Sequence, residues 1–403
     1  MLNPFYYGQV ATGGDFTDRT TELKELVAEL DSGARVFLIS PRRYGKTSLA
    51  FNALAALKER GVITAYIDMY DVSTVEQFAA HYARAIARAT ETKTESIVGF
   101  IREVIPSLRP SVTISAEGEI SVGIEAAPKK PELSLLIKDL LEIPQKAAER
   151  RKKKFAVFFD EFQEIRNVGG EALEKAMRSV FQRQKDVGYL FAGSKQHIMA
   201  DMVLNKNKPF YKMGKVLFLG KIPSGELSSF ISRKFGATDK TIDAGTMDEI
   251  IKVSHAIPYY TLHLCHEIWS GCADIKKVPR SAVAEAVGRI VQGLSPMFLS
   301  IWDSLALTQR KLLQAMAMAS GTDMFSMVFI NTYRLGSASS VQKSEALLIA
   351  KGILEKEDGV TVFSDIWFRE WISGRSRDAA GPDEAGLTNR ISARTRFTRT
   401  QND

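Results

Sequence analysis

Val36-Phe37-Leu38-Ile39-Ser40-Pro41-Arg42-Arg43-Tyr44-Gly45-Lys46-Thr47 is the stretch whose reading decides the fold. Its first four residues form an apolar run of strand length, and Ser48 to Arg60 behind it reads as a helix. Strand, short loop, Gly-Lys-Thr and helix, in that order, is the context of a phosphate-binding P-loop. Main-chain amides from Pro41 to Gly45 can turn inward around phosphate oxygens, and Gly45 lets the backbone approach closely. Lys46 would reach the β- and γ-phosphates, and the Thr47 hydroxyl would bind Mg²⁺. The helix that starts near Lys46 points its positive dipole end at the phosphates. Ser40 stands where the motif has its first glycine, a change the turn tolerates if the backbone angles there stay ordinary.

A second signal lies far downstream. Phe155-Ala156-Val157-Phe158-Phe159 is apolar throughout and ends in Asp160-Glu161. A strand apolar on both faces belongs inside a parallel sheet, and ligands bind at the C-terminal ends of such strands. Asp160 is expected to hold Mg²⁺ through water, and Glu161 to orient and deprotonate an attacking water. Further apolar runs, Val62 to Asp68, Gly188 to Gly193 and Lys215 to Gly220, alternate with helical segments such as Glu171 to Lys185. Five short strands alternating with helices predict a parallel α/β sheet. Ser194, just past the fourth strand, is placed to sense a γ-phosphate or the water. The expected site binds a nucleoside triphosphate and hydrolyses it. Its catalytic set is Glu161, Lys46 and Ser194, and its metal ligands are Thr47 and Asp160.

The 403 residues leave room for two or three domains. Apolar content of 45% and charged content of 25% are those of a globular protein. No apolar run approaches the roughly 20 residues of a membrane-spanning helix, so no membrane partner is expected. Met1 to Phe5 lack the basic-then-apolar pattern of a secretory signal, and Cys265 and Cys272 make no disulfide framework. A cytoplasmic setting is the expectation. A net charge of +7 permits contact with nucleic acid or an acidic partner and requires neither.

Residues 1–221 are predicted to form the nucleotide domain. An insertion at about 109–126 alternates polar and apolar residues around Glu117-Gly118-Glu119 and reads as an exposed β-hairpin. The basic run Arg150-Arg151-Lys152-Lys153-Lys154 reads as a solvated helix end. Residues 222–300 read as a helical lid: Ser224 to Phe235, Met247 to Ser254, Tyr259 to Cys272 and Pro279 to Gln292. His255, His263, Cys265, His266 and Cys272 crowd this region, but without a common zinc spacing, and packing is the better reading. Residues 301–373 read as a winged helix. Its third helix, from Ser339, is expected to turn Ser339, Ser340, Gln342, Lys343 and Glu345 outward. From Gly374 to residue 403 the composition is that of a disordered tail.

Several of these elements together resemble the archaeal-type ATPase family of P-loop proteins, close to the AAA+ and STAND-type ATPases. The resemblance rests on Pro41-Arg42-Arg43-Tyr44-Gly45-Lys46-Thr47-Ser48-Leu49, Asp160-Glu161-Phe162-Gln163 and Gly193-Ser194. Pro209-Phe210-Tyr211, Ile257-Pro258-Tyr259-Tyr260 and Phe16-Thr17-Asp18-Arg19 with Glu22-Leu23 add to it. It spans residues 3 to about 372. It implies ATP as the nucleotide, with Pro41 to Ser48 around the phosphates and the segment from Phe16 to Arg19 packed on the adenine. It also implies a sheet in which the Ser194 strand lies between the P-loop and acid strands, a helical lid and a C-terminal winged helix. Lys212-Met213-Gly214-Lys215 stands where an arginine finger is expected; Lys212 or Arg233 could supply a cation instead.

Three functions stay open on the sequence: an ATP-hydrolysing, Mg²⁺-dependent switch, an ATP-gated DNA-binding regulator, and a nucleotide-dependent scaffold with little hydrolysis. DNA contact through the winged helix, a protein partner, and assembly of identical chains all remain compatible with it.

Overall fold

The quoted apolar run becomes the second-from-edge strand of a five-stranded sheet in the computed structural model of the chain. The structure describes residues 2–16, 19–90, 110–114, 120–124, 137–319, 323–357 and 359–379. Thr17, Asp18, the turn expected at residues 117–119 and the tail beyond 379 lie outside them. The chain divides into two units, one of residues 6–230 with 256–259, the other of residues 1–5, 231–255 and 260 onward.

The first unit runs α1 (Thr20–Asp31), β1 (Arg35–Ile39), α2 (Lys46–Glu59), β2 (Ile63–Asp68) and α3 (Val75–Ala89). Two further strands follow, β3 (Pro110–Ile114) and β4 (Ile120–Ile124), paired antiparallel. Then come α4 (Ile143–Arg151), β5 (Phe155–Asp160), α5 (Gly170–Phe181), β6 (Val187–Gly193), α6 (Gln196–Leu204) and β7 (Lys215–Phe218). The sheet order is β2-β5-β6-β1-β7, and every pairing in it is parallel. β6 therefore lies between the P-loop strand and the acid strand.

The strands are apolar throughout because both faces are covered. Alternate residues point to opposite faces. Phe37, Ile39, Phe159, Tyr189 and Phe191 meet α3, α4, α5 and α6 on one side. Val36, Leu38, Phe158, Leu190 and Ala192 meet α1 and α2 on the other. All of β5 and β6 is buried.

The second unit takes over within α7 (Ser224–Gly236). It continues with β8 (Thr241–Ile242), α8 (Ala244–Val253), α9 (Pro258–Gly271) from Tyr260 onward, β9 (Lys277–Val278) and α10 (Ser281–Asp303). β8 and β9 form a two-residue parallel pair that helical periodicity does not register. α10 carries Pro296 inside it and runs past the boundary expected at residue 300. Cys265 is buried, and the His266 ring nitrogen lies 2.7 Å from the Phe5 carbonyl oxygen.

The winged helix follows: α11 (Leu307–Met318), α12 (Met327–Thr332), α13 (Ala338–Ala350) and the antiparallel wing of β10 (Leu354–Glu357) and β11 (Val360–Phe363). The last helix, α14, spans Ile366–Ala379. Two expectations are corrected here. Glu345 does not face outward; it is buried, accepts a hydrogen bond from the Thr361 hydroxyl and lies 3.9 Å from Lys356 Nζ. Order does not end at residue 373 either, because small Ser373 and Ser376 pack inward and carry the helix on through Gly374. All four tryptophans of the chain, Trp269, Trp302, Trp367 and Trp371, belong to this second unit.

A methyl group at Gly188 in β6 would lie 2.3 Å from the Leu30 carbonyl oxygen, which is backbone and cannot swing aside. Gly188→Ala is expected to destabilise the first unit by about 1–3 kcal/mol, the usual cost of overpacking. Urea unfolding checks this, and an unchanged midpoint would contradict the packing of α1 on β6.

Candidate functional site

The P-loop turns on two left-handed residues, Arg43 (φ 71) and Gly45 (φ 85). Ser40 carries no such burden. It is fully buried, its amide reaches the Gly193 carbonyl at 3.4 Å, and its hydroxyl donates to Pro41 O at 3.0 Å. Gly45 precedes α2 in a left-handed conformation that glycine adopts without the steric cost a side chain brings. Arg42 and Arg43 are exposed, while Pro41, Tyr44 and Lys46 are buried. The Arg43 guanidinium lies 5.0 Å from the centre of the Tyr259 ring.

Lys46 opens α2 and meets the acid strand directly. Its Nζ donates to Asp160 Oδ1 at 2.7 Å and to Glu161 Oε1 at 2.9 Å. Thr47 Oγ1 donates to Asp160 Oδ2 at 2.8 Å. Ser194 Oγ donates to Glu161 Oε2 at 2.7 Å, and the Ser194 amide approaches the same oxygen at 3.4 Å. Lys46, Thr47, Asp160, Glu161 and Ser194, chosen from three separate segments, thus form one hydrogen-bonded cluster. Glu161 itself sits at φ 48, a strained position for a side-chain-bearing residue.

The electrostatics follow from one buried cation between two carboxylates. Burial pushes the Glu161 carboxyl up, but the Lys46 charge and the hydrogen bonds from Gln163, Lys46 and Ser194 outweigh it and hold the group at about 2. Burial pushes the Lys46 ammonium down, and the charges of Asp160 and Glu161 more than offset that, leaving it above its ordinary value of 10.5. The donors near Asp160 suit a hard divalent cation. Thr47 Oγ1 and Asp160 Oδ2 are both oxygen, adjacent, and beside a lysine suited to phosphate, the setting in which Mg²⁺ is held with few protein ligands. Among the described residues no group of three or more His, Cys, Asp and Glu gathers as a metal-binding set.

A family model described as an ATPase domain predominantly from Archaea matches residues 16–218, and one described as a probable winged helix domain matches residues 296–374. The chain belongs to this archaeal-type ATPase family. Solved structures agree in fold. A Walker-type ATPase of Pyrococcus abyssi superposes with a TM-score of 0.59 at 16% identity, covering 92% of this chain and 99% of its own. The ORC2 protein of Aeropyrum pernix, solved as ADPNP–ADP complexes, gives 0.53 at 13% identity, with 92% and 99% covered. No curated protein matches the sequence.

Within this ATPase domain the remaining expected residues have other partners. Arg19 is buried, and its guanidinium donates to the carbonyls of Tyr44 at 3.0 Å and Gly220 at 2.8 Å while pairing with Glu22 at 3.1 Å. Its guanidinium thus braces the loop through the main chain on either side of it. Phe16 packs against the core between α1 and α2. Ser48 Oγ accepts from the Ala11 amide at 3.0 Å, tying an N-terminal strap to α2. Lys212 is exposed, with Nζ 5.4 Å from the Tyr211 ring, and Arg233 falls in the second unit.

Two residues escaped the sequence reading as site members. Asn52, one turn beyond Ser48, donates to Ala11 O at 2.8 Å and fastens the same strap. Gln163 donates to Glu161 Oε2 at 2.6 Å. The place it occupies exists because Gly193 has no side chain; a Cβ there would come within 2.3 Å of Gln163 Oε1. The Asp-Glu-Phe-Gln spacing was the available signal.

The folded Glu161 carboxyl titrates below its ordinary value of 4.5, so it stabilises the fold above about pH 4.5, and that contribution fades as the pH falls toward about 2. Lys46→Met removes the nearby charge and is expected to move the Glu161 titration upward. Carboxyl ¹³C NMR on the wild type and the variant checks this; an unmoved titration would show that Lys46 does not set it.

Proposed function

We propose that the protein is an ATP-hydrolysing, Mg²⁺-dependent switch whose resting state is a latch between Lys46 and the acid pair. The observation that carries this reading is the single ammonium held 2.7 Å from Asp160 and 2.9 Å from Glu161. Triphosphate in the loop offers Lys46 a stronger anionic partner than either carboxylate. Lys46 then releases the acids. Thr47 and Asp160 would hold Mg²⁺, which neutralises charge on the phosphates and helps align them for attack.

Release of Lys46 also changes Glu161. The lysine charge is the main influence lowering the carboxyl, and burial acts against it. With the lysine withdrawn, burial raises the group and makes it a stronger base for water. Ser194 and Gln163 keep hold of Oε2, so the carboxylate is retuned without being set loose. Nucleotide binding and activation of the base are in this way one event.

The winged helix is read here as a module that follows nucleotide state, with DNA as the weaker partner reading. The exposed residues of α13 include Gln342, Lys343, Ala346, Leu347 and Ala350, a face with one cation. DNA binders of this architecture neutralise several phosphates. Fluorescence anisotropy with duplex DNA over a salt series is expected to give weak binding with a shallow salt slope; tight binding with a steep slope would favour the ATP-gated regulator.

Lys46→Ala is expected to abolish binding of a fluorescent ATP analogue. Glu161→Gln is expected to bind it while phosphate release falls by about 10²–10⁴-fold, the range for loss of a general base. Equal ATP affinity in wild type and Lys46→Ala would refute the site. Unchanged turnover in Glu161→Gln would leave a nucleotide site with a different base.

A further inference from the structure

β2 is an edge strand. Among the described residues it pairs only with β5. The amides of Ile63 and Met69 turn toward that side, bonding Lys154 O at 2.9 Å and Asp160 O at 3.1 Å. Residues at alternate positions of a parallel strand turn the other way. Thr64, Tyr66 and Asp68 therefore direct their main-chain N–H and C=O groups away from the sheet. An edge of this kind is a template for another strand.

A groove of about 660 Å³ runs along this edge, lined by residues 61–68 and by the flank of α3. Its charge is one-sided. Lys58, Arg84, Arg88, Arg151 and Lys153 line it, against the carboxylates of Asp68 and Asp71. Lys58, Arg88, Arg151 and Lys153 are exposed. Arg151 donates to the Thr90 carbonyl just past α3, and Phe155 pairs with Ile63, so Arg88, Arg151 and Lys153 gather where β2 and β5 begin. The two aspartates lie at or just past the other end of β2. His81, on the same wall, is held below its ordinary value by burial and by the nearby Arg84.

We propose that this groove takes an acidic, extended segment of a partner protein as a sixth strand beside β2, with its carboxylates toward the start of β2. Six residues of edge make about 20 Å, room for about five or six partner residues. Main-chain bonds to Thr64, Tyr66 and Asp68 supply affinity independent of sequence, and the cationic end selects charge and direction. A polypeptide fits this edge better than a nucleic acid does. The outward carbonyls need donors at strand spacing, and a phosphate backbone has none. The basic run after α4 thereby acquires a role beyond solvation.

The test uses the full chain and a fluorescein-labelled peptide of alternating glutamate and valine. Saturable binding is expected at low salt. The exposed-site double variant Arg88→Glu/Lys153→Glu, checked for native circular dichroism, is expected to weaken it at least about tenfold. Methylating alternate amide nitrogens of the peptide is expected to do the same in the wild type. Hydrogen exchange at the amides of Thr64 and Tyr66 should slow when peptide is added. Any of four results overturns the proposal: no saturable binding, equal affinity of the methylated peptide, slow exchange at Thr64 and Tyr66 in the protein alone, or an oligo-dT probe displacing the peptide and binding more tightly.

Discussion

One ammonium group facing two carboxylates organises the candidate site. Lys46 and Asp160 are 114 residues apart in sequence and 2.7 Å apart in space. Such a cluster is costly to assemble away from water, and removing one member leaves the others unpaired. The fold meets that cost by satisfying every oxygen of the acid pair. Asp160 accepts from Lys46, Thr47 and the Glu161 amide, while Glu161 accepts from Lys46, Gln163 and Ser194. The same contacts that stabilise the cluster hold the Glu161 carboxylate weakly basic. On the proposed reading, a ligand that recruits Lys46 relaxes that hold.

The sheet makes the geometry possible. β6 sits between β1 and β5 in parallel register, Ile39 beside Gly193 and Phe159 beside Phe191, so three polar strand ends emerge at one edge of the sheet. Aromatic packing fixes their height. Phe162, directly after the acid pair, is fully buried, with its ring centre 4.5 Å from that of Phe191 and 5.3 Å from that of Phe210. The Pro209-Phe210-Tyr211 element thus serves the site through its core contact, wedging the acid loop from beneath.

Most of this was legible in the chain because it follows from local rules. A buried parallel strand must be apolar on both faces, so β1, β5 and β6 announced themselves, and polar residues at their ends were the natural candidates. Residues whose roles depend on distant partners were harder to read. Arg19 holds the carbonyls of Tyr44 and Gly220, partners 25 and 201 residues away that no local pattern announces. Glu345 sits on a helix at a position that periodicity leaves ambiguous, and only the wing's Thr361 shows that it turns inward. Ser376 falls in the composition read as a disordered tail, yet its small side chain is buried within α14. The helix expected to end at Gln292 instead continues through Pro296 to Asp303.

The placement of the indole side chains gives the molecule a built-in reporter. Trp269, Trp302, Trp367 and Trp371 all lie outside the unit that holds the P-loop. Phe298, Phe368 and Trp302 surround Trp371, and Trp367 is buried. Tryptophan emission, excited apart from that of the tyrosines, is therefore carried by the second unit. A change in that emission on adding nucleotide is a signal from the second unit, which a plain fluorimeter reads without any added label.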